Sequence, residues 1–414
     1  MPEQKQLLHL PWQHPWRKKM IRTLKAFDLK GKNILMRVDF NVPMEGEKVT
    51  NNFRIKAVMP TINTCLEGGA AVVLMSHLGR PDGEVDPTLS LIPAGEELAG
   101  LMEMPIKFSE DCVSNDAIDT SISLKAGEIH LLENLRFHPG EKKNDPTFAS
   151  RLARHGQIYI NDAFGTAHRS HASNVGVASH FKHAGIGWLM DKEINFLDRF
   201  IQKPYRPLTL ILGGAKIGSK LGLIHHFMEK ADNIIIGGGM AFTFLKARGK
   251  EIGGSLIDDA MVPTAKKILN LARTSQVKLY LPEDVLCGKS LDDNEPKGPF
   301  LINDIPNNLM GLDIGPETII KFNKIISSSE TVVWNGPMGV FESKGYSRGT
   351  RDIGIHLANC VENGQKVIVG GGDTSAATEK YGLSQLMTHV STGGGSSLEL
   401  LSGNHLPAMK ALEI

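Results

Sequence analysis

Arginine and histidine side chains follow four apolar runs in the first half of the chain, at the point where each run ends. The segments are 39–41 (DFN), 76–80 (SHLGR), 133–138 (ENLRFH) and 161–169 (NDAFGTAHR), and Arg54 lies a little beyond the first of them. A guanidinium group binds phosphate or carboxylate through two parallel hydrogen bonds and stays charged at any working pH. A single loop arginine is more often part of a surface ion pair, but arginines at several equivalent positions predict an anion site.

If these loops converge, the first half of the chain forms a cationic pocket from Arg54, Arg80, Arg136 and Arg169. His77 and His168 belong to the same loops, and each could equally be a structural residue.

Glycine-rich loops follow the apolar runs of the second half. They are 213–220 (GGAKIGSK), 237–240 (GGGM), 335–342 (NGPMGVFE), 370–377 (GGGDTSAA) and 392–397 (TGGGSS). Glycine lets backbone N–H groups approach phosphate oxygens, and 370–377 runs into a helical pattern whose N-terminus attracts anions. We expect Asp373 or Thr374 to be the N-cap of that helix, and the Asp373 carboxylate is also suited to Mg²⁺. One such loop alone is more typical of a tight turn, but their repetition favours a phosphate-binding role.

Three nucleotide-site signatures are missing from the sequence. It contains no GxxxxGK[ST] segment, no complete GxGxxG after a predicted strand, and no HRD and DFG pair. Their absence excludes a P-loop site and a protein kinase, and it weakens the case for a dinucleotide-dependent dehydrogenase. The residue types therefore predict a small-anion site in one half and a site for a polyphosphate with a metal in the other.

Short apolar runs must position these loops. They are 33–38, 70–75, 128–132 and 157–160 in the first half, then 208–212, 233–236, 278–281, 331–334, 366–369 and 388–391 in the second. Continuous apolarity over four to six residues is typical of strands buried on both faces of a parallel sheet. Helical patterns such as residues 261–275 separate them. The fold predicted is α/β, with two doubly wound, Rossmann-like lobes, because so many strands exceed what one sheet usually carries.

The boundary between the two lobes is predicted within residues 185–207, where 189–201 has apolar residues at helical spacing. We expect an extension at 1–19, a first lobe at 20–187, a joining helix or hinge at 188–203 and a second lobe at 204–403, with the site in the cleft between the lobes.

Composition bounds the partners and the compartment. Among 414 residues, 46 Lys plus Arg balance 45 Asp plus Glu, which argues against wholesale binding of nucleic acid or anionic membrane. The four cysteines form no CxxC pair, no apolar run is long enough to span a bilayer, and residues 1–19 lack the apolar region of a secretory signal. We therefore expect a cytoplasmic protein with free thiols.

Several of these segments together are specific. They include 37–43 (RVDFNVP), 76–81 (SHLGRP), 133–141 (ENLRFHPGE), 161–173 (NDAFGTAHRSHAS), 213–220, 312–318 (LDIGPET), 332–342 (VVWNGPMGVFE) and 370–377. In this order, from about Met20 to the C-terminus, the sequence closely resembles phosphoglycerate kinase. The segment 217–220 (IGSK) differs from the commoner family versions, although Lys216 and Lys220 keep their places, and the N-terminal extension is not typical.

The resemblance implies reversible phosphoryl transfer from 1,3-bisphosphoglycerate to ADP, giving 3-phosphoglycerate and ATP, with Mg²⁺, in a monomer. It implies substrate contacts from Asp39, Asn41, Arg54, His77, Leu78, Gly79, Arg80, Arg136 and Arg169. It implies nucleotide contacts from Lys220, Gly237, Gly238, Gly311, Leu312, Asn335, Glu342, Gly371, Gly372, Asp373 and Thr374. The catalytic residues implied are Arg54, Lys216 and Lys220, with backbone N–H groups of Gly371, Gly394 and Gly395, and Asp373 as metal ligand. A C-terminal tail at 404–414 is expected to pack on the first lobe.

The chemistry of that reaction agrees with the residues present. A carboxylate nucleophile is already ionised at neutral pH, since its pKa lies near about 3–4, so no general base is needed. Catalysis then depends on positioning, on neutralising the phosphoryl oxygens and on lobe closure that excludes water. Three alternatives stay open at this point: a non-catalytic two-lobe anion-binding protein, another acyl-phosphate-forming kinase, and an NAD-dependent dehydrogenase.

Overall fold

A computed structural model describes residues 20–414, without the side chains of residues 198–202. The predicted extension at 1–19 lies outside the described residues. The chain divides into two compact units. Unit 1 holds the chain up to Ala163, Arg169–Asp191 and Pro407–Ile414, and unit 2 holds Phe164–His168 and Lys192–Leu406.

Unit 1 contains a parallel sheet of six strands in the order β5-β6-β4-β1-β7-β8, together with the antiparallel hairpin β2-β3. Its strands are β1 (Asn33–Arg37), β2 (Met44–Glu45), β3 (Lys48–Val49), β4 (Ala71–Met75), β5 (Ile106–Ser109), β6 (Ile129–Leu132), β7 (Ile158–Asn161) and β8 (Ala184–Ile186). The central strand β1 pairs with β4 in the register Asn33↔Ala71 and with β7 in the register Ile34↔Ile158.

Unit 2 contains a second parallel sheet of six strands, in the order β11-β10-β9-β15-β16-β17, and a three-stranded antiparallel sheet, β13-β12-β14. Its strands are β9 (Leu208–Leu212), β10 (Asn233–Ile236), β11 (Lys278–Tyr280), β12 (Asp284–Gly288), β13 (Lys297–Leu301), β14 (Met310–Ile314), β15 (Thr331–Asn335), β16 (Lys366–Gly370) and β17 (His389–Val390).

Helices connect these strands. They are α1 (Phe53–Glu67), α2 (Ile92–Met102), α3 (Asn115–Ile122), α4 (Pro139–Lys143), α5 (Pro146–Ala153), α6 (Trp188–Gln202), α7 (Leu221–Met228), α8 (Met240–Ala247), α9 (Val262–Thr274), α10 (Pro316–Ser327), α11 (Arg348–Glu362), α12 (Gly372–Lys380), α13 (Gly395–Leu401) and α14 (Pro407–Ala411). Within residues 20–414, none of these helices is both long enough and apolar enough to cross a bilayer. The division between the units falls inside α6, between Asp191 and Lys192.

Local chemistry explains where several helices begin. The Ser114 hydroxyl accepts from the Ala117 N–H at 3.1 Å before α3, and the Asp145 carboxylate accepts from the Phe148 N–H at 2.8 Å before α5. Pro146 then occupies the first turn of α5, where a missing N–H costs nothing. These side chains satisfy backbone donors that the helix itself leaves unpaired.

Burial of the central strands sets the core of each unit. All five residues of β4 and of β9 are buried, and so are all five of β15, including the indole of Trp334. The Trp334 indole N–H donates to the carbonyl of Gly336 at 2.9 Å, so core packing directly fixes the loop that follows β15.

The predicted α/β class with two parallel sheets is confirmed, and each of the ten predicted runs is a strand. The prediction missed both edge strands of the unit 1 sheet, β5 and β8, because β5 mixes exposed and half-buried residues and β8 is only three residues long. It also missed the antiparallel sheet of unit 2, whose strand β13 is mostly exposed or half-buried. Continuous apolarity identified the buried strands of both parallel sheets and also the two edge strands of the unit 2 sheet, β11 and β17.

The two ends of the described segment, at Met20 and Ile414, meet in unit 1. The Ile414 N–H donates to the Met20 carbonyl at 3.0 Å, and Ile21 forms an antiparallel bridge with Glu413.

Candidate active site

An ion pair connects the loop after β1 to the start of α1. Arg54 Nη1 lies 3.2 Å from Asp39 Oδ2 and donates to the backbone carbonyl of Asn41 at 2.7 Å. Arg54 comes from the first turn of α1, so the helix carries the guanidinium back towards the loop that precedes it. The Asp39 carboxylate therefore holds one predicted site arginine while leaving it partly exposed, at 29% of the side chain.

The loops after β1, β4 and β6 are tied together through Gly79. Its N–H donates to Asn41 Oδ1 at 2.9 Å, and its carbonyl accepts from Arg136 Nη1 at 2.5 Å. Gly79 has a φ of +61°, and a β-carbon there would lie 2.6 Å from Leu89 Cδ2. Asn134 supports the same loop by donating to the carbonyl of Leu78 at 2.7 Å. Three predicted site loops thus form one hydrogen-bonded unit.

His77 is held as a neutral imidazole by Arg37. The Arg37 Nη2 lies 3.1 Å from His77 Nδ1 and can only donate, so Nδ1 accepts and the ring proton resides on Nε2. Burial lowers the pKa of His77 well below its usual value, and the charges of Arg37, Arg169 and Arg54 lower it further. His77 can therefore donate one hydrogen bond from Nε2 without adding charge.

Sequence reasoning missed the support beneath this histidine. Arg37 is almost fully buried, and its Nε donates to Ser173 Oγ at 2.9 Å. Ser173 in turn donates from its hydroxyl and its N–H to the buried Glu141 carboxylate, at 2.6 and 2.9 Å. Burial alone would raise the pKa of Glu141, but hydrogen bonds from His171 and Ser173 and the charge of Arg37 hold it below its usual value. Ser173 and the Glu141 carboxylate thus neutralise the buried Arg37. The available signal was that all three residues lie within the segments 37–43, 133–141 and 161–173.

Positive charges converge around Arg169. Burial lowers the pKa of Arg169, the Asp39 carboxylate opposes that shift, and the charges of Arg37, Arg80 and Arg54 add to it. Such mutual influence requires these guanidinium groups to lie near one another. Unit 1 therefore contains an arginine cluster, formed by Arg37, Arg54, Arg80 and Arg169, that an anion would stabilise. His168, expected beside these arginines, belongs to unit 2, where its Nδ1 lies 2.8 Å from Ser396 Oγ.

Unit 2 contains a cavity of about 580 Å³ at the ends of its parallel strands. Its lining includes apolar side chains, among them Phe242, Leu256 and Leu312, and the charged side chains of Lys216, Glu342 and Asp373. This size falls in the range of small-molecule sites, and a lining that combines apolar and charged side chains suits a ligand with a flat ring and a charged group.

Packing or backbone conformation requires glycine at three positions that were predicted to form the nucleotide pocket. A β-carbon on Gly311 would lie 2.0 Å from Phe242 Cζ, and one on Gly237 would lie 2.5 Å from Met338 Sδ. Gly238 has a φ of +61° and lines the cavity with Gly311 and Leu312. Gly237 itself lies behind the wall, under Met338.

Asn335 ends β15 with a buried amide whose polar atoms lack partners. Among the described residues, neither its Oδ1 nor its Nδ2 has a hydrogen-bond partner. A buried unsatisfied amide is costly unless a ligand or water completes it. Its backbone carbonyl accepts from Lys220 Nζ at 3.5 Å, and Gly371 is close enough that a β-carbon there would lie 2.9 Å from Asn335 Nδ2.

Lys220 carries an amine whose titration is shifted by its surroundings. Burial lowers the pKa of Lys220 to about 8, and the Asp373 carboxylate opposes the shift. The amine thus sits beside both the unsatisfied Asn335 and the carboxylate that lines the cavity.

The N-termini of α12 and α13 meet next to Asn335. A β-carbon on Gly394, the N-cap of α13, would lie 4.0 Å from the Gly372 backbone nitrogen in the first turn of α12. The first-turn N–H groups and the positive ends of both helix dipoles therefore point to the same region, where an anion could bind. Gly395 is the first residue of α13.

The expected N-cap of α12 is wrong. Gly371, not Asp373 or Thr374, is the N-cap, because its φ of +94° makes the turn that starts the helix and only glycine adopts it readily. Asp373 lies in the first turn, and the Thr374 hydroxyl accepts from the Gly336 N–H at 2.6 Å. A glycine cap leaves the first-turn N–H groups to an external acceptor.

Asp313 is a cavity residue that sequence reasoning did not single out. Its carboxyl accepts from the N–H groups of Gly349 and Ile314, at 2.7 and 2.9 Å, yet burial raises its pKa to about 8. It follows Leu312 directly in the LDIGPET segment, which was the available signal.

These two doubly wound α/β units, one with an arginine cluster and the other with a glycine-lined cavity, define a small-molecule phosphotransferase. The family model described as phosphoglycerate kinase matches residues 24–404. The chain belongs to the phosphoglycerate kinase family. It catalyses reversible phosphoryl transfer between 1,3-bisphosphoglycerate and ADP in glycolysis, and the three alternative classes are excluded.

Relatives match over nearly their whole length. A phosphoglycerate kinase of Chlorobium phaeobacteroides is 46% identical over 392 residues, which cover 94% of this chain and 99% of the relative. One from Thermosynechococcus vestitus is 45% identical over 397 residues, covering 96% and 99%. The solved phosphoglycerate kinase structure from Coxiella burnetii has a TM-score of 0.83 at 37% identity, covering 95% of this chain and 99% of that one. The structure from Pyrococcus horikoshii has a TM-score of 0.83 at 31% identity, covering 95% and 98%.

Proposed function

We propose that unit 1 binds the phosphoglycerate and that the cavity of unit 2 binds the nucleotide. The observation that carries this assignment is the chemical difference between the two loop sets. One set presents converging guanidinium groups and a neutral histidine, and the other presents an apolar cavity next to two helix N-termini. We propose a first functional lobe at 20–187, with the C-terminal tail 404–414 packed on it, and a second functional lobe at 204–403. Residues 188–203 would be the hinge.

In unit 1, the guanidinium groups are suited to the phosphate and the carboxylate of the glycerate ligand. Arg54, Arg80, Arg136 and Arg169 would supply paired donors, and His77 would donate from Nε2. Asp39 and Asn41, with Leu78 and Gly79, would set the position of those donors and accept from the ligand hydroxyl.

In unit 2, the apolar part of the cavity would hold the adenine against Gly238, Gly311 and Leu312, with Gly237 behind them. Glu342 would accept from the ribose. The phosphates would lie towards Lys220, Asn335 and the starts of α12 and α13, at Gly371, Gly372, Thr374, Gly394 and Gly395.

A magnesium ion fits the carboxylate that Asp373 contributes to the lining of this cavity. The exposed Asp373 carboxylate lines it, and carboxylate oxygen is the ligand that Mg²⁺ prefers. We propose that Asp373 holds the metal, directly or through its water. When bound, the ion supplies positive charge to the nucleotide phosphates.

The residues would act by placing charge on the transferred phosphoryl group. The acyl carboxylate is ionised at neutral pH, so no proton has to be removed by the protein. We assign neutralisation of the equatorial oxygens to Arg54, Lys216 and Lys220, together with the Gly371, Gly394 and Gly395 N–H groups.

Lys216→Ala tests this assignment. Loss of a donor that acts in the transition state should lower kcat by roughly 10²–10³ while ADP and 3-phosphoglycerate affinities change little. The measurement is a coupled ATP-formation assay with calorimetric affinities. Lys266→Ala, which removes an exposed lysine on α9, should behave as the parent protein. An unchanged kcat for Lys216→Ala would remove Lys216 from the chemical step.

We also propose a monomer in the cytoplasm, without nucleic-acid or membrane partners. The four cysteines are buried and free, as is typical of proteins from reducing compartments. Light scattering and cell fractionation test these two points.

A further inference from the structure

A mixed cluster of donor side chains lies in unit 1, outside the residues given a role above. Asp111 and Cys112 follow β5, and His138 follows the turn after β6. Because β5 and β6 are paired, in the register Ser109↔Leu132, the two loops leave the sheet side by side. A carboxylate oxygen of Asp111, the Cys112 sulfur and a ring nitrogen of His138 all lie within 4.8 Å of one another.

Contacts outside the cluster hold each of the three residues. Asp111 Oδ1 accepts from the Val113 and Ser114 N–H groups at 2.5 and 2.8 Å, which turns Oδ2 towards His138. The His138 ring packs on Phe148, with ring centroids 5.3 Å apart.

Cys112 is fixed from the interior side. Its backbone carbonyl accepts from His155 Nε2 at 3.1 Å, and only 1% of the residue is exposed. The Asp111 and His138 side chains and the Cys112 backbone are therefore held in place before any ion arrives, which is the usual condition for a metal site.

The distances and exposure also suit an ion. His138 Nε2 lies 3.4 Å from Asp111 Oδ2. Two N or O ligands at about 2.0–2.1 Å from a tetrahedral zinc lie about 3.4 Å apart, so this pair has the spacing of two zinc ligands. The Asp111 and His138 side chains are 40% and 30% exposed, so an ion can enter from solvent and keep a water as fourth ligand.

Donor type decides the class of ion. A thiolate, an imidazole and one carboxylate suit a divalent transition metal such as Zn²⁺, whereas Mg²⁺ and Ca²⁺ prefer sites made of oxygen alone.

We propose that Asp111, Cys112 and His138 form a binding site for a divalent transition metal of the Zn²⁺ class. The bound ion would link the loop after β5 to the segment that carries Arg136, two residues before His138. The site itself does not depend on the nucleotide or the phosphoglycerate assignments.

Cobalt and zinc binding to the full chain, without nucleotide, tests the proposal. The parent protein should bind one Co²⁺ with the absorption of thiolate-to-cobalt charge transfer, and excess Mg²⁺ should not displace it. Cys112→Ser should abolish that absorption. Asp111→Asn and His138→Gln should each weaken Zn²⁺ binding by at least about tenfold, since loss of a mere outer-shell partner already costs 10–100-fold.

Matched controls separate the site from other thiols and carboxylates. Cys65→Ser, at another buried cysteine of unit 1, and Asp373→Asn, in the cavity of unit 2, should both retain the cobalt spectrum. Asp111→Asn keeps an oxygen for the Val113 and Ser114 N–H groups, and His138 is partly exposed, so both variants should fold, as circular dichroism would verify. The proposal is overturned if the parent protein shows no thiolate absorption with Co²⁺, or if folded Asp111→Asn and His138→Gln bind Zn²⁺ as tightly as the parent.

Discussion

Lys220 shows how one side chain acquires a function from its surroundings. A surface lysine keeps its charge well beyond neutral pH, but burial brings the pKa of Lys220 to about 8, within reach of ordinary assay conditions. The buried amine lies beside Asn335, whose side-chain amide has no hydrogen-bond partner among the described residues. Both groups are therefore unfavourable in the absence of a ligand. Both deficits would be relieved by the same anionic ligand.

The affinity for ADP should therefore fall as pH rises above 8. Lys220 loses its proton in the free enzyme through a pKa of about 8, and binding the phosphates then requires proton uptake, so affinity drops about tenfold between pH 7 and pH 9. The second phosphate ionisation, near about 6, lies below this window. Calorimetric titration across this range provides the measurement.

Lys220→Arg keeps its charge and should bind ADP with a nearly constant affinity over the same range, while Lys216→Arg should follow the parent profile. A parent affinity that does not change with pH would show that Lys220 does not bind the phosphates.

We assign Arg169 to the phosphoglycerate. Arg169→Ala should weaken 3-phosphoglycerate binding by about 10–100-fold, the value of a charged hydrogen bond of about 1.5–3 kcal/mol, and leave ADP affinity intact. Arg151→Ala, an exposed arginine on α5, serves as the control. An equal loss of ADP affinity would mean that the two ligands are assigned to the wrong units.

At the scale of elements, a chain of hydrogen bonds links β5, β6, α3 and the end of α5. His130 Nε2 and Nδ1 lie 2.8 Å from Ser109 Oγ and Ser121 Oγ, and Ser121 Oγ lies 2.6 Å from His155 Nδ1. The Cys112 carbonyl only accepts, so His155 must donate from Nε2 and accept at Nδ1. Each hydrogen bond in the series is then donated in the same direction: Ser109 donates to His130, His130 to Ser121, and Ser121 to His155. Both histidines are neutral in this arrangement.

Acid should destabilise unit 1 through these two histidines. Burial lowers the pKa of each from 6.5 to about 4. Below pH 6.5 these histidines are protonated in the unfolded chain, but in the native state they stay neutral until about pH 4. Their contribution to the free energy of unfolding is therefore complete above pH 6.5 and is lost as the pH falls towards 4. The shift of each group corresponds to about 3 kcal/mol.

Urea unfolding of His155→Gln measures this contribution. The variant keeps an N–H for the Cys112 carbonyl but cannot titrate, whereas His77 and His130 still do, so its stability should decline less steeply than that of the parent between pH 6.5 and pH 4.5. His183→Gln, at an exposed histidine of the same unit, should keep the parent slope. Equal slopes for His155→Gln and the parent would contradict the assignment.

The position at which α12 begins was also set by the folded backbone and not by the local sequence. The sequence marked 370–377 as a phosphate loop, but the N-cap fell on Gly371 because backbone geometry outweighed the capping preference of Asp373 and Thr374. That choice could not be predicted locally, since the Thr374 hydroxyl is taken by the distant Gly336 N–H.

For the whole molecule, lobe closure remains a prediction from the reaction. An acyl phosphate must be kept from water, so both ligands together should make the protein more compact. Small-angle scattering should show a smaller radius of gyration with 3-phosphoglycerate and nucleotide both bound than with either alone. Equal radii in all states would contradict closure.

The sequence by itself determined the strands that are buried on both faces, the loops that follow them and the family, because each of these is written in contiguous residues. The helix predicted at 189–201 agrees with the observed helix, Trp188–Gln202, to within one residue at each end, because its apolar spacing is also a property of contiguous residues. The edge strands β5 and β8 of unit 1 were not predicted, since β5 is exposed or half-buried and β8 has only three residues.

Only the tertiary structure decided which polar groups meet. The support of Arg37 by Ser173 and Glu141, the unsatisfied amide of Asn335 and the grouping of Asp111 with Cys112 and His138 all join side chains that strand order brings together. Burial then sets their charge states, as at Lys220. Spacing along the chain carries no record of such contacts, because their energy depends on distance and solvent exposure in the folded protein.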